Sequence, residues 1–176
     1  MHITRTAGLA ALAVLAVAAG TTAPARASFV AGADQARATI VDTSGARVGF
    51  AVLSEDGPDR VHVNVKVSGL SPGLHGIHVH GTGLCGSDFN AAGGHHNPLA
   101  ADHGAHAGDL PNMVVNADGV GRLNATVTGF TLSESPTGAF DTDGSAIIVH
   151  AGPDDFVTQP TGNSGARIAC GVIVPA

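Results

Sequence analysis

Trp and Tyr are absent from the 176 residues, Phe occurs six times, and aromatic side chains make up 3% of the chain. Little hydrophobic bulk is left beyond Val, Ile, Leu and Ala. Charge is scarce too: 12% of residues are charged against 44% hydrophobic, which suits one compact domain and argues against a second. Only two cysteines, Cys85 and Cys170, are present, so at most one internal disulfide can form. No apolar run reaches the roughly 20 residues that a membrane span needs. The longest, "AGLAALAVLAVAAG", follows a short n-region with one Arg and precedes Ala25-Arg26-Ala27, a small-x-small cleavage pattern. Residues 1–27 therefore read as a secretory leader, 28–36 as an N-terminal extension and 37–176 as the working domain, exported to the cell envelope or beyond.

Cleavage would remove Arg5 and Arg26, leaving six basic against 14 acidic side chains, a formal charge of −8. That balance counts against nucleic acid or an anionic membrane surface as partner. Export permits Cys85 and Cys170 to pair, closing a loop of 85 residues, although two free thiols are the alternative. In the chain-entropy model such a loop stabilises by roughly 4 to 5 kcal/mol, less any strain.

Helical periodicity is missing as well. "ATIVD", "RVGFAVLSE", "RVHVNVKVSG", "GIHVHG", "NMVVN", "VGRLNATVTG", "SAIIVHAG" and "RIACGVIV" alternate with period two, are rich in Val and Ile, and are bounded by turn residues. Hairpin turns are expected at "EDGPD" (55–59) and "NADG" (116–119). The sequence thus predicts an all-β fold, an eight-stranded antiparallel barrel or sandwich. Residues 81–112 and 151–166 are too long and too rich in Gly and Pro to be simple connectors.

Histidine is what the chain has in abundance. Seven of its ten lie between Gly73 and Asn112. His78 and His80 are two apart on a strand, so both side chains leave one face and can reach one metal ion. His150 closes the distant strand "AIIVH". His95, His103, His106 and Asp109 share a loop, where the spacing "HGAHAGD" lets three groups converge. Three or four nitrogens suit copper or zinc, and nitrogens with one carboxylate suit zinc. Two adjacent sites are implied. A loose metal-scavenging tract would also be rich in His, but would not draw ligands from both strands and a loop and carry an Arg just before the second Cys. His62 alternates outward with Asn64 and Lys66 and reads as a surface residue.

The motifs "GIHVHG", "GGHHNP", "HAGDLPN", "IIVHAGPDD" and "GNSGARIACGVI", in this order, resemble those of the copper/zinc superoxide dismutase family, and the likeness runs from about Ala38 to the C-terminus. The resemblance implies a Greek-key barrel, a superoxide substrate, copper and zinc as cofactors, and a monomer or homodimer of the secreted bacterial type. It implies copper ligands at His78, His80, His95 and His150, and zinc ligands at His95, His103, His106 and Asp109, with His95 bridging. Asp154 matches the carboxylate that ties His78 to His103, Arg167 the anion-guiding residue, and Cys85 and Cys170 the disulfide. His75 matches a structural His, and His96 stands where an aromatic is common. Two departures are visible: only two residues separate His103 from His106, so the zinc loop is short, and residues 151–166 contain no Lys. The same ligands on an exported metal-binding module without turnover form the alternative.

Overall fold

The computed structural model describes His2 and residues 34–176. The rest of the expected leader and its cleavage pattern lie outside the described residues. Ten strands run in chain order: β1 Gln35–Asp42, β2 Arg47–Glu55, β3 Arg60–Val67, β4 Gly73–His75, β5 Ile77–His80, β6 Met113–Val115, β7 Gly121–Thr128, β8 Ala146–His150, β9 Arg167–Val172 and β10 Val174–Pro175. The only helical element among the described residues is one 3-10 turn, Asn90–Ala92. Gln35 and Ala36, expected in the extension, belong to β1, because Ala36 is buried and faces Leu53 and Pro175.

Among the described residues all strand pairings are antiparallel, in the order β4-β6-β7-β3-β2-β1-β9-β8-β5, with β10 on β1. The two ends of that order are consecutive in the chain, joined through Gly76, so the sheet forms a nearly closed barrel. The chain leaves β3 for the far end of the order and returns from β6 to β7 beside β3, a Greek-key path. Ten strands appear instead of the expected eight because the last run is divided and because β4 forms over Gly73–His75, just before "GIHVHG", where no strand was expected. Gly76 donates to the Gly152 carbonyl at 2.7 Å and accepts from the His150 amide at 2.8 Å, which separates β4 on β6 from β5 on β8. The last run divides at Ile173, whose amide turns to the Ser145 carbonyl. Both expected hairpin turns form, with Gly57 and Gly119 at positive φ.

Alternation supplies the core. Ala36, Ala38, Ile40, Leu53, Val61, Val63, Val65, Ile77, Val79, Ile147 and Val149 point inward and are almost fully buried. β5 and β8 differ from the other strands in being buried on both faces. Ile77 and Val79 enter the core, whereas His78 and His80 face the long loops that cover the barrel's outside. A second small cluster, Phe89, Ala92, Ala146, Ile148 and Cys170, packs beneath residues 81–112. Cys85 and Cys170 are disulfide-bonded with Cα atoms 5.8 Å apart, which fastens that loop to β9.

Candidate metal centre

β5 lies at an end of the strand order, and its edge is covered by the loop backbone. Val79 donates to Gly108 and accepts from His96, each at 2.8 Å, and Gly81 donates to Gly94 at 3.0 Å. This contact requires a glycine at 108, since a Cβ there would overlap the Val79 carbonyl. The result sets His95 against His80 and Asp109 against His78. From the other side, His150 pairs in register with Arg167 after a bulge in the β8–β9 ladder.

Two groups of side chains converge. His78, His80, His95 and His150 form one, and His95, His103, His106 and Asp109 the other; within each, the ligand atoms lie within 4.8 Å of one another and could hold a metal ion. His95 belongs to both, its ring stacked on that of His78 at 3.9 Å.

Outer hydrogen bonds fix which nitrogen of each ring faces inward. The N–H of His78 Nε2 donates to Asp154 Oδ2 at 2.7 Å, that of His80 Nδ1 to the Gly93 carbonyl at 2.9 Å, and that of His150 Nδ1 to the Gly165 carbonyl at 3.1 Å. His103 Nε2 donates to Asp154 Oδ1 at 2.9 Å. The opposite nitrogens, His78 Nδ1, His80 Nε2, His150 Nε2 and His103 Nδ1, together with His95 Nε2, are buried with no hydrogen-bond partner. Each orphan of this kind costs about 1–3 kcal/mol, so five in one place make a donor set built for metal ions. Borderline cations with nitrogen preference, copper and zinc, fit these donors.

The electrostatics agree. Burial, aided by nearby His95, holds His78 down to about 3, and burial likewise takes His80 to about 2 and His150 to about 4. All three are neutral at pH 7, the form that offers a lone pair. Burial works against the Asp154 carboxylate, but the ring N–H groups of His103 and His78 outweigh it and hold the carboxyl below its usual range. Asp109 is also held low, with His95 and the amides of Gly104 and His106 overcoming burial.

Arg167 Nη1 donates to the Phe89 carbonyl at 2.7 Å and Nη2 to the Gly93 carbonyl at 2.6 Å. Gly93 therefore links the guanidinium to His80. His75 stands outside both groups because each of its ring nitrogens lies against a carbonyl oxygen, of His150 at 2.6 Å and of Ser71 at 2.8 Å. His96 reaches the Thr137 carbonyl at 3.2 Å and packs edge-on against Phe130, also outside both groups. His62 lies on the barrel's outer face with Thr126 3.4 Å away.

Two residues of the site escape sequence reasoning. Gln159 Oε1 accepts from the His103 amide at 2.7 Å while its Nε2 donates to the His103 carbonyl at 3.3 Å, clasping the loop from the opposite side. Asn112 clasps Asp154 in the same two-point way, at 2.8 and 2.7 Å. Asn112 ends the motif "HAGDLPN", a faint signal; nothing about Gln159 stands out. Gly162 is a third requirement, since a Cβ there would overlap Asp154 Oδ1 and His103 Nε2.

An all-β barrel whose strands and loops bring together two histidine-rich groups with one imidazole in common defines a metalloprotein with two adjacent centres. The family model for copper/zinc superoxide dismutase (SODC) matches residues 46–173. The chain is 40% identical over 154 residues to Superoxide dismutase [Cu-Zn] of Deinococcus radiodurans, covering 77% of this chain and 82% of that one. It is 39% identical over 144 residues to the Superoxide dismutase-like protein YojM of Bacillus subtilis, covering 77% and 74%. A crystal structure of a SOD-like protein from Bacillus subtilis superposes with a TM-score of 0.72 at 38% identity, covering 78% of this chain and 97% of that one. The chain belongs to the copper/zinc superoxide dismutase family, which uses copper and zinc, and its site is of the superoxide dismutase type.

Proposed function

We propose that the protein catalyses dismutation, in which two superoxide ions and two protons give one O2 and one H2O2. In this reading His78, His80, His95 and His150 hold copper, His95, His103, His106 and Asp109 hold zinc, and His95 bridges the two. The observation that carries it is the convergence of five buried, partnerless imidazole nitrogens on two neighbouring points, with Arg167 attached to the same Gly93 carbonyl as His80. Copper, when bound, supplies one-electron transfer, while zinc, with no second accessible oxidation state, steadies the loop and the bridging ring.

The remaining work falls to side chains. Arg167 provides a permanent positive charge and a planar donor fork to draw in a small anion. The loop before it, residues 151–166, carries no Lys, so this attraction is local and short-ranged. His95 Nε2 is the nitrogen suited to carry a proton to the departing peroxide. Asp154 keeps the rings of His78 and His103 turned with their free nitrogens inward. The same reading includes export, with the protein free or in the cell envelope, and the pattern of residues 1–27 in the sequence supports it.

Metal content measured together with dismutase activity on the exported form tests this reading. Both metals and turnover are expected. Arg167→Ala should lower the rate about tenfold, equivalent to about 1.4 kcal/mol, with both metals retained, and Arg167→Lys should recover part of it. Similarity to a protein named superoxide dismutase-like favours a second reading, an exported copper- and zinc-binding module. Both metals bound without turnover would establish that reading in place of the first.

A further inference from the structure

Among the described residues, six Lys and Arg side chains stand against 14 Asp and Glu. They are not evenly spread. Arg167 serves the histidine site, and Arg60 pairs with Asp56 at 2.6 Å in the β2–β3 turn. The other four, Arg37, Arg47, Lys66 and Arg122, form no ion pair within the described residues. Three of these four lie on the outward face of β1, β2, β3 and β7. The strand registers align one row there as Thr39, Phe50, Lys66, Arg122 and Val114. Arg37 stands in the next row, opposite Val52. Neither these rows nor the row beyond, which runs from Gln35 to Thr126, contains an Asp or Glu.

Lys66 and Arg122 sit directly opposite each other, a like-charge pairing that weakens a sheet unless something outside neutralises it. Lys66 also shares a shallow groove with Arg47, Phe50 and Ser68. Apolar side chains flank the cations: Phe50, Val52 and Val114 are 40%, 43% and 55% exposed. A soluble polyanion would engage the cations and gain nothing from Phe50 or Val114. A second copy of the same face would set unpaired cations against one another. An anionic phospholipid surface engages both, with phosphates beside Lys and Arg and apolar side chains at the boundary with the acyl chains.

We propose that the outward face of β1, β2, β3, β7 and β6 docks on an anionic phospholipid surface, with lipid phosphates held by Lys66 and Arg122 on that face and by Arg47 in the groove beside Lys66, and with Phe50 and Val114 entering the interface. The overall negative charge does not prevent this, because remote acids are screened beyond a Debye length of about 8 Å at physiological ionic strength. β5, which carries His78 and His80, lies across the nearly closed barrel from β2 and β3, four strands away in either direction, so a docked molecule turns that site away from the lipid.

The test is co-sedimentation of the exported, metal-loaded protein with vesicles of phosphatidylglycerol and phosphatidylcholine, against vesicles of phosphatidylcholine alone, in 50–200 mM salt. Every variant keeps the same N-terminus, so any contribution from that segment cancels. Binding to the anionic vesicles is expected, weakening with salt. Lys66→Glu with Arg122→Glu should reduce it at least tenfold, and Phe50→Ser should reduce it several-fold. The milder pair Lys66→Gln and Arg122→Gln should give an intermediate loss. Unchanged metal content and circular dichroism show that each variant is folded. Equal binding to both vesicle types, or indifference to the charge reversals, overturns the proposal. So does binding that Phe50→Ser leaves intact and inorganic polyphosphate abolishes, since that outcome describes a soluble polyanion site.

Discussion

The two halves of the histidine cluster are held by different means. His78, His80 and His150 stand on β5 and β8, where ladder registers and a packed core set the backbone before any side chain makes a contact. His103, His106 and Asp109 stand on a loop whose backbone meets β5 only near His96 and Gly108, and between those points side-chain braces reach in from elsewhere: Gln159 on His103, Asn112 on Asp154, and Asp154 on both His78 and His103. Rigidity in the first half comes from continuous strand pairing and in the second from a short backbone contact with β5 plus a few buried polar contacts. The second half should therefore yield first, and to smaller changes.

Acid acts on the strand half and should produce the largest effect. In metal-free protein His78, His80 and His150 titrate at about 3, 2 and 4, well below the unfolded value of 6.5. Below pH 6.5 the unfolded chain takes up protons that the folded chain refuses, so stability falls as pH drops from about 6.5 towards 4. Each ring contributes at most about 1.4 kcal/mol per pH unit, several kcal/mol together by pH 5. A fall in melting temperature of about 10 °C between pH 7.5 and 5 is expected in chelator-treated protein. A flat profile would mean that these rings titrate like exposed ones.

Asp154→Ala cuts the one tie common to both halves. Leaving two buried imidazoles without their partner should cost about 3 kcal/mol. Calorimetry with metal analysis should find zinc lost ahead of copper; simultaneous loss would show that the halves are a single cooperative unit.

His106→Ala opens the loop half alone. Zinc affinity should drop at least about 100-fold, more than an outer hydrogen bond is worth, while copper stays on its strand-borne nitrogens. Equal loss of both metals in a competition titration would break the distinction between the halves. The smallest effect is expected of Gln159→Ala, which removes a clasp and no ligand. A loss of about 1 kcal/mol, roughly fivefold in zinc affinity, with copper binding unchanged, would show the brace at work. An unchanged zinc titration would mean that the loop holds itself.

Much of this was legible beforehand because it is local. Alternation at period two marks the strands, since successive side chains leave opposite faces. Gly57 and Gly119 mark the hairpins, since their turns need positive φ. His78 and His80 must share a face for the same reason of period. The resemblance then supplied the partner set, including Asp154 and Arg167. The separate strand β4 and the division of the last run were not legible, because Gly76 and Ile173 turn their amides to Gly152 and Ser145, residues distant in sequence.

By itself, then, the sequence determined an all-β chain, the positions of its turns, and an inventory of donors suited to copper and zinc, all consequences of side-chain chemistry at short range. Tertiary structure alone decided which nitrogen of each ring points inward, because that depends on carbonyls and carboxylates brought from Gly93, Gly165 and Asp154. It also decided that Gln159 matters, since its contact with His103 spans 56 residues. Net charge, a sum over the chain, could not reveal that Lys66 and Arg122 meet among rows without Asp or Glu. Register across the β3–β7 ladder brings them together, and register is a property of paired strands.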